Sequence, residues 1–102
     1  MSLGVYHQYQ SYLYEINKIK QELFHEIKEK IAKDPENYRG ICYKVAKQLF
    51  DEFKKQVTAK FDETYFIEFL PATFQAESTY FNSTLPGQLK KILESKLPTL
   101  NE

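Results

Sequence analysis

The chain has 102 residues, 42% hydrophobic and 27% charged, with Lys+Arg and Asp+Glu both at 14; this fits one ordinary globular domain, residues 1–102, and excludes a disordered segment. Zero net charge and a single arginine, Arg39, argue against a dedicated nucleic-acid binder, which carries a basic footprint suited to phosphates and guanine edges. Cys42 is the lone cysteine, so no intrachain disulfide forms, and no run approaches the ~18 apolar residues of a membrane span.

From the N-terminus, apolar residues at 5, 9, 12, 16, 19, 23, 27 and 31 step by three and four. That spacing predicts an amphipathic helix over 5–33, about 40 Å long at ~1.5 Å per residue. At ~100° per residue, Tyr9, Leu13, Ile16, Leu23 and Ile27 centre its buried face, with Tyr6 and Tyr12 at the edges. An edge tyrosine buries its ring and keeps its hydroxyl in water. Three of the four tyrosines in "VYHQYQSYLYE" therefore read as core. Tyr14, His7 and His25 fall on the opposite, solvated side.

"KDPEN" reads as a stop followed by a start: Asp34 as cap, Pro35 in the first turn and Glu36 at the positive end of the dipole. A second helix is expected over 35–61, antiparallel to the first, with an extension to 70 ending at Pro71 as the alternative. From Val45 its apolar residues, Leu49, Phe53, Val57 and Phe61, recur every four positions, so the stripe drifts and must meet one neighbour early and another late. The first neighbour is expected to be helix one, the second the C-terminal third. Gly40 falls inside this pattern, where a close helix approach would justify it.

Residues 62–84 read as an irregular aromatic connecting segment in which helix is favoured over 63–70 and an irregular stretch or short helix over 72–82, with strand composition in "TYFIEFL" and "STYFN" as the competing signal. In "STLPGQLKKILESKLPTL", Ser83 or Thr84 caps, Pro86 opens, and Leu85, Leu89, Ile92, Leu93 and Leu97 line one side of a helix over 85–97 that Pro98 stops. The expected fold is mainly α: a long antiparallel hairpin, an aromatic connecting segment and a short C-terminal helix, bundle-like with three to four helices.

Motifs for chemistry are sparse. Glu22 and His25 have the i, i+3 spacing of di-iron bundles, but those sites need two such pairs facing inward, and the only other histidine, His7, lacks the partner Glu. Cys42 lies on the apolar stripe and reads as a small hydrophobe. No nucleophile elbow, P-loop, HExxH or paired CxxC occurs. A narrow helical hairpin offers little concavity, so no enzyme, cofactor, metal or small-molecule substrate is expected.

Charge segregation is more informative. Residues 62–82 carry Asp62, Glu63, Glu68 and Glu77 without one Lys or Arg, beside six aromatics, Tyr65, Phe66, Phe69, Phe74, Tyr80 and Phe81. These aromatics exceed what one short helix face can bury, and aromatics dominate interface hot spots. The expected function is a non-enzymatic helical module for protein–protein interaction or assembly. Its contact surface combines those six aromatics with Phe50, Phe53, Val57 and Phe61. Because one hairpin and a short helix leave much apolar surface uncovered, a homodimer is expected. The competing reading is a weak nucleic-acid accessory domain using Lys44, Lys47, Lys54, Lys55 and Lys60 of helix two. With no basic n-region or apolar h-region at "MSLGVYHQYQ", the expected location is cytoplasmic or nuclear, without membrane association or secretion.

Overall fold

The computed structural model describes residues 3–97, with side chains from His7 onward. The three-and-four spacing forms one unbroken helix, α1 (Leu3–Lys33). Its inward row is Tyr12, Ile16, Ile19, Leu23, Ile27 and Ile31, each under 9% exposed. The register differs from the wheel reading: Tyr12 is buried at 2% exposure, whereas Leu13 and Tyr9 stand 41% and 43% exposed. Tyr14, His7 and His25 face solvent as expected. The side chain of Tyr6 and the stop at Pro98 lie outside the described residues.

The second helix, α2 (Cys42–Phe61), begins later than Pro35. Pro35 instead opens a separate 3-10 turn, Pro35–Tyr38, and Asp34 makes no side-chain cap there, its carboxylate accepting from the Asn37 side-chain amide. Gly40 then turns the chain at φ +79°, a conformation open to glycine and costly to a side chain. Gly40 thus serves the turn, not a close helix approach, and has no neighbour within 4 Å of where a Cβ would stand. The covered small residue near this end is Ala46, at 0% exposure. α2 runs antiparallel to α1, the Lys60 ammonium reaching Glu15 at 2.9 Å.

At Phe61 the helix ends and does not extend to 70. Thr64 makes the break: its hydroxyl donates to the Phe61 carbonyl at 2.8 Å and accepts from the Phe66 N–H at 3.2 Å. One side chain thereby serves the end of one helix and caps the next.

Of the readings for residues 62–84, helix is the one realised, from Tyr65 through to Thr84 without an irregular stretch. A 3-10 turn (Tyr65–Phe69) leads into α3 (Leu70–Thr79), a π-helical turn (Tyr80–Thr84) and α4 (Leu85–Lys96). Pro71 sits in the first turn of α3, where its missing N–H has no intrahelical partner to lose, so it starts a helix instead of ending one. Ser83 and Thr84 do not cap, because the backbone passes from π to α helix without leaving helical dihedrals. Among the described residues no strand occurs.

The result is a mainly α bundle of three rods measuring 62 × 20 × 19 Å, the third running parallel to the first. At ~1.5 Å per residue, residues 65–96 span about 48 Å, as long as α1. The short C-terminal helix expected over 85–97 is present as α4, but it continues a longer rod and does not stand alone. This rod covers α2 from end to end: Cys42 lies against Leu93, while Phe53 meets Phe74 and Phe81. The π turn widens one helical turn and absorbs the drift of a stripe stepping by four, so Phe81, Leu85, Leu89 and Leu93 all point inward.

Candidate protein-docking groove

The end of the bundle where the α2–rod turn meets α1 is built from rings. The Tyr12 ring lies 4.8 Å from both Phe61 and Phe66, and its hydroxyl is 2.6 Å from the Thr73 hydroxyl. Burial holds the Tyr12 phenol above the usual tyrosine range, partly offset by that hydrogen bond. Phe69 extends the layer outward, edge-on to Tyr9 at 6.2 Å and to Tyr65 at 5.6 Å. Rings of this size wedge α1 away from α3, whereas α1 packs closely on α2 and α4.

Above the wedge lies a groove of about 470 Å³. Tyr12 and Ile16 form its floor; Tyr9, Leu13 and Asn17 form the α1 wall, and Phe69, Ala72, Thr73 and Ala76 the opposite wall. Its far end is closed by an ion pair, the Lys20 ammonium 2.7 Å from Glu77 Oε1 and 3.1 Å from Oε2. The same ammonium lies 4.8 Å from the Tyr80 ring centroid. The Tyr80 phenol is pushed up by burial and by the neighbouring Glu77 carboxylate. Two of the polar groups lining the groove are thus engaged by a neighbour, Lys20 by Glu77 and Tyr12 by Thr73, while the Tyr9 ring stands at the exposed wall.

The ten residues expected to form a contact surface do not lie together on the outside. Phe53, Val57, Phe61 and Phe81 are buried in the core. Phe50, Phe66, Phe69, Phe74 and Tyr80 are half-buried against that core, and Tyr65 alone of the ten is exposed, at 67%. The long third rod is the cause: Phe50 stacks on Phe81 at 4.9 Å and Phe74 meets Phe53 edge-on at 6.1 Å. Tyr65 and Phe69 remain at the mouth of the groove. Sequence reasoning missed Tyr9, Leu13, Ala72 and Ala76 as surface partners of these two. The signal existed in part, since Tyr9 and Leu13 share one flank of the α1 wheel, but Ala72 and Ala76 acquire a face only once 70–79 is helical.

The other candidates resolve simply. Lys54 pairs with Asp51 at 3.7 Å and covers the Phe50 ring, and Lys60 pairs with Glu15, so two of the five α2 lysines are engaged within the chain. Cys42 is buried, its thiol directed at the Tyr38 carbonyl at 3.9 Å and held above its usual range by burial. It lies on the core side of a 300 Å³ depression flanked by Tyr43 and Lys90. His25 pairs with Glu29 at 3.0 Å in the open. Among the described residues no three His, Cys, Asp or Glu side chains converge as metal ligands, and no helix is long and apolar enough to cross a membrane.

Comparison with known protein families, curated proteins and solved structures found no match to any of them.

Proposed function

We propose that this chain is a non-enzymatic helical module that binds another protein, or a second copy of itself, through the groove between α1 and α3. The observation that carries the reading is the groove's apolar wall. Tyr9 and Leu13 stand more than 40% exposed side by side on α1, facing Phe69 and two alanines. Single exposed apolar residues need no explanation, but a contiguous strip beside a concave trough is the form of a binding surface. Two further observations favour binding over catalysis. The two charged groups lining it, Lys20 and Glu77, neutralise each other, and the groove is an open channel along two helices, without an enclosed site. The lone cysteine suits a reducing, intracellular setting.

A display selection tests this reading. Helical peptides are selected on the intact protein and counter-selected on Leu13→Glu, a substitution at a surface position that leaves the core untouched. Binders that lose affinity for Leu13→Glu and for Ala72→Glu support the groove. An exhaustive selection that yields no binder, or only binders indifferent to both substitutions, rejects it.

A further inference from the structure

We infer that the occupant of this groove is a basic amphipathic helix from a partner protein, laid down as the fourth helix of the bundle; the inference rests on the groove being a docking site. Three rods leave one corner of a four-helix arrangement open, and here α1 and α3 run parallel but apart, with α2 on the far side. The trough from Tyr9 to Lys20 is about 16 Å long at the helical rise, three turns of a partner helix. Ala72 and Ala76 place no bulk in it, so a helix can approach α3 closely while its apolar residues at i, i+3 or i+4 and i+7 meet Tyr9, Leu13 and Phe69.

Charge selects among occupants. From Asp62 to Leu89 the chain carries four carboxylates and no Lys or Arg. Glu77 is occupied by Lys20, whereas Asp62 and Glu63 are exposed in the turn after α2 and Glu68 is exposed next to Phe69 of the groove wall, and among the described residues no cation pairs with them. Glu68 precedes Ala72 and Ala76 by one and two turns and marks the α3 rim. On the α1 rim the wheel positions are Gln10, Asn17 and Gln21, all exposed and uncharged. An apolar slot with an unpaired acidic mouth calls for apolar anchors flanked by Lys or Arg. A second copy does not provide these on its matching face. A two-fold axis would bring up the same acidic mouth, opposite a Lys20 already held by Glu77.

The test uses two synthetic helical peptides of about four turns with one shared leucine stripe, the flanking positions being lysine in one and glutamate in the other. Binding to the full chain is read by fluorescence anisotropy at low and at high salt. The lysine peptide is expected to bind at least about tenfold tighter, to weaken with salt, and to lose its advantage on Glu68→Lys. Leu13→Glu should reduce binding of both peptides. Equal affinities that still depend on Leu13 overturn the charge inference and leave the groove standing. Binding that ignores Leu13→Glu, or no binding of either peptide, overturns both. Sedimentation supplies the remaining outcome: a dimer that Leu13→Glu dissociates would assign the groove to a second copy and overturn the basic-helix inference.

Discussion

Two leucines on one helix separate the observed register of α1 from the one its wheel suggests. Leu23 is 4% exposed and Leu13 is 41% exposed, so the same truncation removes core in one place and groove wall in the other. Leu23→Ala leaves a cavity that close-packed neighbours fill only in part, and should cost about 3–5 kcal/mol. Leu13→Ala opens no cavity, because its outer side already meets water, and should cost about 0.5–1 kcal/mol. A domain of this size is stable by about 5–15 kcal/mol, so the first change removes a large share of the total.

Urea unfolding followed by far-ultraviolet dichroism reads the difference. With a slope of about 1.5 kcal/mol per M, Leu23→Ala should lower the midpoint by about 2–3 M and Leu13→Ala by less than about 0.7 M. Equal losses, or a larger loss at Leu13, would mean that α1 is turned about its axis with Leu13 inside. The exposed wall on which the docking groove depends would then not exist. The expected result also qualifies Leu13→Glu as a probe of binding that does not act through folding.

Gly40→Ala offers a test by sign: a glycine inside a helix would be improved by alanine, whereas φ +79° predicts a loss of about 1–2 kcal/mol, and a measured gain in midpoint would refute the turn. Cys42 should resist thiol reagents in the folded chain and react at once in denaturant; rapid native labelling would mean that it is not packed beneath α4. Tyr12 and Tyr80 have folded pKa values above the unfolded value of about 10. Their contribution is therefore complete below that pH and is lost as pH rises through the folded values, so the unfolding midpoint should fall on the alkaline side. Tyr12→Phe should reduce that fall, and an unchanged alkaline profile would argue against burial of this phenol.

Much of the bundle was legible because periodicity is a local property. The α1 stripe, the return of α2 and the leucine row of α4 follow from spacing alone. Three features were not legible, each because a local signal was outweighed by context. Pro71 reads as a stop, but it opens a helix when the residues before it are already turned by Thr64. Ser83 and Thr84 read as caps, but a π turn carries the backbone through them. Gly40 reads as helix interior, although the loop between α1 and α2 needs a positive φ somewhere. The candidate surface suffered most from the second error. A cap at 83–84 splits the rod, so the aromatics of 62–82 gain no long inner face and read as outside together with Phe53, Val57 and Phe61, whereas the continuous rod turns Phe81 inward onto Phe53 and all four are buried.

The groove follows from how one long rod changes its packing halfway along. In α4 the inward residues are Leu85, Leu89 and Leu93, all buried, and aliphatic side chains let helices sit close. Toward α3 the inward residues near α1 are rings. Tyr12, Phe66 and Phe69 need more room across the helix pair, and the backbones part accordingly. Large side chains at 72 and 76 could have filled the space that opens above them. The chain has alanine at both, and bridges the gap with a tyrosine–threonine hydrogen bond and an ion pair instead. Those bridges fix the width of the trough without filling it. A bundle optimised only for its own stability gains from closing such a face, since each buried methylene contributes about 0.8 kcal/mol. Width held by polar bridges, a small-residue wall and an unpaired acidic mouth are together what a bundle needs if its fourth helix arrives on another protein.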